Sequence, residues 1–375
     1  MLSSNSQTTV VVGMSGGVDS SVTAAILREQ GYRVIGLFMK NWEEKDENGV
    51  CNSAKEFADV VKVCEKLDIP YQSVEFVQEY WDNVFTRFLE EYKAGYTPNP
   101  DILCNREIKF NVFLNKALEL GADKLATGHY CQNILGGDEP TLVKGLDQGK
   151  DQTYFLYTIN QDILKKVLFP IGDLQKSEVR AIAAQYGLST AAKKDSTGIC
   201  FIGERNFRPF LSQYLASKPG DFRHLNGKVV GSHGGSAFYT LGQRKGLGLG
   251  GEGESWYVVQ KDTEKNIVYV ERGDEHPALY ADYLVATELS WVSLQAPGPL
   301  PFACRAKVRY RQEDQACRIT QIENANMRVE FDQPQRAVTP GQSVVFYSGL
   351  TCLGGGVIRE VGPSYHERGI TLTGF

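Results

Sequence analysis

The sequence predicts an α/β domain built on a parallel sheet, followed by two small β-rich modules. Three observations carry that expectation. Up to about residue 200, short apolar runs of β character alternate with amphipathic stretches, the order that builds a parallel sheet covered by helices. From "PGDFRHLNGKVVGSHGGSAFY" onward the texture changes to glycine-rich turns between short β-branched and aromatic runs, which is an all-β composition. At about residue 283, "YLVATELSWVSLQAPGPLPF" supplies a strand, a Pro/Gly break and then further strands. The expected divisions are therefore 1–205, 206–283 and 284–375.

In the first division, strands are expected at Thr9 to Met14, Val34 to Met39, Tyr71 to Phe76 and Lys124 to Thr127. Between them, Ala54, Phe57, Ala58, Val61, Cys64 and Leu67 recur at helical spacing, an apolar stripe that would face the sheet and place Cys64 in the core. The segment "FPIGDLQKSEVRAIAAQYGL" reads as a helix from about Lys176 to Tyr186, with Gly187 as its stop.

A chain of 375 residues, 42% apolar and 23% charged, can bury several cores. Its net charge of -5 and pI near 5.7 exclude a protein that coats nucleic acid nonspecifically, because such binding neutralises many phosphates with Lys and Arg. A local basic patch stays compatible with that balance. The N-terminus "MLSSNSQTTVVVG" lacks the cationic region and apolar stretch of a secretory signal, and no window approaches the ~18 apolar residues of a membrane span. The chain reads as cytoplasmic, with no membrane partner. Its eight cysteines include no C-x-x-C, so neither a zinc ribbon nor an iron–sulfur run is suggested.

The densest chemical signal is "GMSGGVDSSV", directly after the apolar run "TVVV". A strand running through Ser15, Gly16 and Gly17 into a helix presents unpaired backbone N–H groups at a helix N-terminus, where the macrodipole favours an anion. A P-loop would need a lysine here to reach the outer phosphates, and the string carries Asp19 instead. A carboxylate beside phosphates is repulsive unless a divalent cation lies between them, so Asp19 reads as a Mg²⁺ ligand, direct or through water. Such a loop would hold metal-bound pyrophosphate and suit cleavage between the α and β phosphates. The string also matches S-G-G-x-D-S, the signature of the PP-loop ATP pyrophosphatases, which include amide-forming synthetases and tRNA-thiolating enzymes.

Three further strings bear chemistry. In "TPNPDILCNREIKF", Pro98 and Pro100 hold the chain extended before Cys104, which then stands at the start of a helix where its thiolate is favoured. In "KKDSTGICFIGERNF", Cys200 follows a Ser-Thr-Gly turn, with Lys193, Lys194 and Arg205 nearby to favour its thiolate. Taken singly, either cysteine is as readily a small buried hydrophobe. Lys150, Asp151 and Gln152 form a polar loop before an apolar run.

Together these strings resemble the tRNA-specific 2-thiouridylases. "GMSGGVDSS", "NPDxxCN", "ATGHY", "KDQxYFL", "DSTGICFIGER", "YTLGQRKGLGLGG", "VRYRQ", "PGQSVVFY" and "CLGGG" occur in family order across nearly the whole chain. The resemblance implies an N-terminal PP-loop domain, a small central domain and a C-terminal β-barrel. It implies ATP on Gly13, Met14, Ser15, Gly16, Gly17, Val18, Asp19 and Ser20, with Met39 and Gly128 at the adenine end. Asn99, Pro100 and Asp101 look like the segment that meets the target uracil, Cys104 like the catalytic cysteine, and Cys200 like the carrier of a persulfide sulfur. His129, Lys150, Asp151, Gln152, Arg309, Tyr310 and Gln342 fall where the family touches tRNA, whereas Cys131 matches no required position. A persulfide donor or relay protein is implied as a second partner.

One segment can be read for RNA binding without the resemblance. In "CRAKVRYRQ", Arg305, Lys307, Arg309 and Arg311 alternate with smaller or apolar residues, so a strand there would place four cations on one face, which is either a solvated strand face or a phosphate-contacting one. Arg244 and Lys245 lie between flexible glycines in "LGQRKGLG". An anticodon loop offers the splayed bases that sequence-specific RNA recognition uses.

The expected chemistry is adenylation of O2 of a wobble uridine, then displacement of AMP by the Cys200 sulfur with Cys104 as the second thiol and Asp101 assisting removal of the uracil proton. A disulfide route and a free hydrogen sulfide route both remain open. Two rivals use the same loop: a synthetase activating a small carboxylate or ureido group, and an ATP-sensing RNA-binding adaptor.

Overall fold

A computed structural model describes residues 4–43, 52–136, 139–195, 207–215 and 217–372. Cys200, Arg205 and all of the "DSTGICFIGER" string after Asp195 lie outside the described residues.

The first unit is a five-stranded parallel sheet. Its strands are β1 (Thr9–Met14), β2 (Arg33–Lys40), β3 (Tyr71–Glu75) and β4 (Lys124–Ala126), all read from the sequence to within a residue. A hairpin, β5 (Cys131–Gly136) and β6 (Glu139–Lys144), precedes the short fifth strand β7 (Val167–Leu168). The order is β3-β2-β1-β4-β7, so the chain reverses direction across the sheet between β1 and β4. In open α/β sheets the crevice outside the strand ends at such a reversal is where ligands bind.

Val10, Val11 and Val12 of β1 are fully buried because helices cover both faces of the sheet. Helix α1 (Val18–Glu29) covers one face together with α2 (Asn52–Leu67). The stripe expected on α2 is rotated: Val60, Val63, Cys64 and Leu67 are buried, while Ala54 and Ala58 face solvent. Alanine is the weakest apolar signal in that pattern, and the larger Val60 and Val63 decide the face.

The second unit is a four-stranded sheet of β8 (Gly220–Arg223), β9 (Val229–His233), β10 (Trp256–Asp262) and β11 (Ile267–Arg272), ordered β10-β11-β8-β9. The third is a closed antiparallel barrel. Strands β12 (Tyr280–Trp291), β13 (Phe302–Lys307), β14 (Gln315–Glu323), β15 (Asn326–Arg336), β16 (Ser343–Ser348) and β17 (Thr351–Val361) run β12-β15-β14-β13-β16-β17, and β12 pairs back onto β17.

The barrel is fastened to the first unit. Thr351 and Cys352 pair with Val143 and Leu142 of β6, which extends the barrel sheet into the N-terminal hairpin. The "CLGGG" string explains the closeness: a Cβ on Gly355 would lie 2.4 Å from Val344 O and 2.9 Å from the Tyr157 ring. Lys144, 5% exposed at its side chain, meets Asp314 at 2.5 Å across the same junction.

The cationic strand expected over residues 305–311 does not form as one face. Strand β13 ends at Lys307, and three of the four cations of the 305–311 run are engaged within the protein. Arg305 donates to Asp314 O (2.6 Å), Lys307 sits 3.8 Å from the Asp314 carboxylate, and Arg309 donates to Ala337 O (2.6 Å). Arg311 stays exposed. The hairpin folds Asp314 back onto the run, which alternation along one strand cannot reveal.

Candidate active site

The loop after β1 sits at the point of reversal in the sheet. Gly16 has φ +72°, and a Cβ there would meet Glu56 O at 2.7 Å, so the turn requires glycine. Gly17 is the N-cap of α1 and supplies no side-chain cap. Ser20 Oγ accepts from Ser15 N (3.2 Å) and donates to Gly17 O (3.2 Å), while Ser21 Oγ donates to Gly17 O (2.7 Å). The serines brace the loop, and the first turn of α1 presents its backbone N–H groups to an anion. Gly128, just after β4, closes the other wall: a Cβ there would lie 2.8 Å from both Asp19 C and Ser20 N.

The lysine that the loop itself lacks arrives from elsewhere. Lys176, 157 residues away in sequence, donates to Asp19 Oδ1 (2.7 Å) and Oδ2 (2.8 Å), and the Tyr130 hydroxyl donates to Oδ1 (2.8 Å). Lys176 is also 2.9 Å from Asp195, which receives Lys150 at 2.7 Å and Arg180 at 2.8 Å. Partial burial opposes its charge, yet the hydrogen bonds from Lys150 and Lys176 hold the Asp195 carboxyl down to about 2. Lys193 donates to Gly16 O (2.9 Å) and Asp59 (2.8 Å), so this lysine serves the nucleotide-type loop. Reading "KKD" solely as a basic neighbourhood for Cys200 missed that contact.

Among the described residues no group of three or more His, Cys, Asp or Glu side chains could hold a metal. Asp19 is a lone, partly exposed carboxylate. It fits an ion that keeps phosphate oxygens and water as its other ligands, as Mg²⁺ commonly does.

The "NPD" string opens a helical rod over residues 100–119, made of Pro100–Leu103, a π-helical stretch Cys104–Phe113 kinked at Phe110 (φ -101°, ψ 17°) and Leu114–Glu119. Asn99 caps it, accepting from Asp101 N (3.2 Å) and Ile102 N (3.4 Å), and Pro100 takes the first helical position. Cys104 therefore lies one turn inside the helix, where the sequence reading had put it at the start. Proline at the first helical position is as compatible with helix initiation as with an extended approach. Cys104 is 2% exposed, in the core cluster with Tyr80, Phe85, Phe88 and Phe210. Burial raises the Asp101 carboxyl, which Lys109 partly offsets. The rod rests on the loop strand through Phe113, whose ring stands 3.1 Å from a Cβ built on Gly13, and Met39 packs beside it.

All three units meet just before Asn99. Thr97 N donates to Pro340 O (2.9 Å), Gln342 Nε2 donates to Thr97 O (2.6 Å), and the Thr97 and Thr240 hydroxyls are 3.4 Å apart. Gln342 thus holds the backbone leading into the "NPD" segment.

The remaining expected RNA contacts separate. His129 is buried, its Nδ1 2.8 Å from Thr127 Oγ1 and its ring beside Phe110 and Phe169; burial, aided by Lys109, keeps it neutral. The 150–152 loop is less exposed than its polarity suggests. Asp151 is 4% exposed and accepts from Gly145 N (3.2 Å) and Thr153 Oγ1 (2.9 Å), because its carboxylate is needed to close the turn. Gln152 brackets Tyr130, accepting from Tyr130 N at 2.9 Å and donating its own N–H to Tyr130 O at 2.9 Å. Tyr310 leans on Phe155 with ring centroids 4.3 Å apart, bringing the 309–310 segment to the 150–152 loop. Cys131 is fully buried, and burial drives its thiol well above its ordinary range, as expected of an incidental residue.

Comparison with known proteins adds the lineage. Residues 8–204 match the tRNA methyl transferase HUP domain, 208–272 the tRNA methyl transferase PRC-barrel domain and 281–358 the aminomethyltransferase beta-barrel domain. The chain is 66% identical over 363 residues to a protein of Protochlamydia amoebophila, covering 96% of each chain, and 57% identical over 361 residues to one of Listeria innocua, covering 96% of this chain and 97% of that one. Both relatives are named tRNA-specific 2-thiouridylase MnmA. With a glycine-rich turn at the sheet's reversal, a capped "NPD" segment and full-length relatives of this kind, the chain is an enzyme of the tRNA-specific 2-thiouridylase family.

Proposed function

We propose that this enzyme, working in the cytoplasm, activates O2 of the anticodon wobble uridine of tRNA with ATP and replaces it with sulfur delivered as a cysteine persulfide, releasing pyrophosphate and AMP. The observation that carries the reading is the loop at the sheet's reversal. Glycines let the backbone approach a polyphosphate, α1 opens without a side-chain cap, and Asp19 is poised against Lys176 at 2.7 Å. Asp19 would hold a magnesium ion, whose charge would stabilise the departing pyrophosphate. Lys176 and Lys193 add positive charge on the same side.

The steps balance as follows. Uracil O2 attacks the α-phosphorus and pyrophosphate departs, while the N3 proton passes to a base. Asp101, whose burial raises its carboxyl, is suited to take it. The outer sulfur of a persulfide on Cys200, loaded by a donor protein, attacks C2 and AMP leaves with the former oxygen. In one route Cys104 attacks Cys200 Sγ, which releases the thiocarbonyl and forms a Cys104–Cys200 disulfide that external thiols then reduce. In the other, Cys104 first frees hydrogen sulfide, which attacks C2. Lys150, Gln152, His129, Arg309, Tyr310 and Gln342 shape the surface that receives the anticodon arm.

The test is incubation with α-labelled ATP, with and without tRNA. AMP formed only with tRNA supports the reading. AMP formed with a small carboxylate or ureido acceptor, or no AMP at all, refutes it.

A further inference from the structure

The geometry points to Asp195 as a positioning residue that couples nucleotide binding to tRNA binding, through a chain of charges running Asp19, Lys176, Asp195, Lys150. This inference rests on the proposed function, with ATP at the loop after β1 and tRNA at the 150–152 loop.

Two contact paths join these loops. In the first, Lys176 is divided between two carboxylates, Asp19 at 2.7 and 2.8 Å and Asp195 at 2.9 Å. Asp195 is divided in turn, with Lys176 and Arg180 on Oδ1 and Lys150 on Oδ2 at 2.7 Å. Arg180 also donates to Ala191 O (2.8 Å) and Lys193 O (3.0 Å), which fixes the backbone that carries Asp195. In the second path, Gln152 grips the Tyr130 backbone while the Tyr130 hydroxyl donates to Asp19 (2.8 Å). Asp147 also ties the loop before Lys150 to the helix that carries Lys176, accepting from the backbone N–H of Lys176 (3.0 Å) and of Gly149 (3.1 Å).

The sign of the coupling follows from this sharing. An RNA phosphate that draws Lys150 off Asp195 leaves that carboxylate two cations and strengthens its pull on Lys176. Asp19 is then freer to meet the cation that travels with ATP. In the other direction, a divalent cation at Asp19 repels Lys176 onto Asp195, whose charge is then satisfied without Lys150, and Lys150 becomes available to phosphate. Each ligand therefore tightens the other, and linkage requires both effects to be equal.

The experiment uses the full chain, a non-hydrolysable ATP analogue with Mg²⁺, and an unmodified tRNA transcript. Each dissociation constant is measured alone and with the other ligand saturating. For the unsubstituted enzyme each ligand should tighten the other by the same factor, at least about fivefold. Asp195→Asn should bring that factor to within about twofold of unity while both separate affinities stay measurable, and Asp195→Glu should restore much of it. A purely structural role for Asp195 would lower both affinities and leave their ratio unchanged. Lys150→Met, on a partly exposed side chain, cuts the same path if Asp195→Asn does not fold, and Tyr130→Phe should weaken the factor by the second path.

A factor at or below unity in the unsubstituted enzyme overturns the inference, as does a full factor retained by Asp195→Asn or by Lys150→Met. Binding of neither nucleotide nor tRNA by the unsubstituted enzyme would instead bring down the proposed function and the coupling with it.

Discussion

Gly128→Ala is the sharpest steric test of where the nucleotide sits. The added Cβ would stand 2.8 Å from Asp19 C and Ser20 N and 3.1 Å from Asp19 Cβ, whereas ordinary contact begins at 3.4 Å. Two of those neighbours are backbone atoms at the start of α1, which a rotamer change cannot move. The two walls must part by roughly half an ångström, and overpacking of this kind costs about 1–3 kcal/mol. A catalytic constellation tolerates about 0.5 Å of displacement, so AMP formation should fall at least about tenfold. tRNA affinity measured without nucleotide should stay within about twofold, since the added Cβ presses on the first turn of α1. The assay is tRNA-dependent AMP release, with Gly250→Ala as control, because a Cβ there meets nothing within 4 Å and its φ is not left-handed. An unchanged rate in Gly128→Ala would refute the placement of the nucleotide between β1 and β4.

Three other outcomes are expected. Lys176→Met removes one of the two lysine charges beside the departing pyrophosphate, so AMP formation should drop by at least about tenfold with tRNA affinity less affected. Asn99→Ala deletes the cap of the rod that carries Cys104; the loss of about 1 kcal/mol should speed amide exchange at residues 101–104 about fivefold, read by hydrogen-exchange mass spectrometry. Burial raises the Asp101 carboxyl, so it is protonated at a higher pH than an ordinary aspartate, about 3.9. As a base it works only above its folded pKa. The acid limb of the AMP-forming rate should therefore lie above that value and vanish in Asp101→Asn, and a limb unchanged in that variant counts against the role.

The parallel strands were legible because a strand buried on both faces must be a continuous β-branched run, as "TVVV" is. Helix Lys176–Gln185 was legible because Gly187, at φ +61°, ends it. The site was legible only where its chemistry is local. Gly16, Gly17 and Asp19 stand in one string, but the partner of Asp19 lies 157 residues on, and no local pattern names Lys176. The same limit hid the fastening of β6 to β17, and it hid Asp314, whose return along a hairpin absorbs Arg305 and Lys307. The start of the Cys104 rod was misread for a different reason: proline restricts the residue before it and also initiates helices, and only the Asn99 cap decides between them.

The central claim is that ATP split at the loop after β1 drives delivery of a protein-borne sulfur to tRNA. A single turnover of enzyme loaded with labelled persulfide sulfur, mixed with ATP, Mg²⁺ and unmodified tRNA, tests it most directly when the digested nucleosides are weighed and AMP is counted. One labelled sulfur should stand in place of oxygen on the wobble uridine for each AMP, with none from Cys200→Ser. Labelled thiouridine formed without AMP, or in undiminished yield by Cys200→Ser, would contradict it.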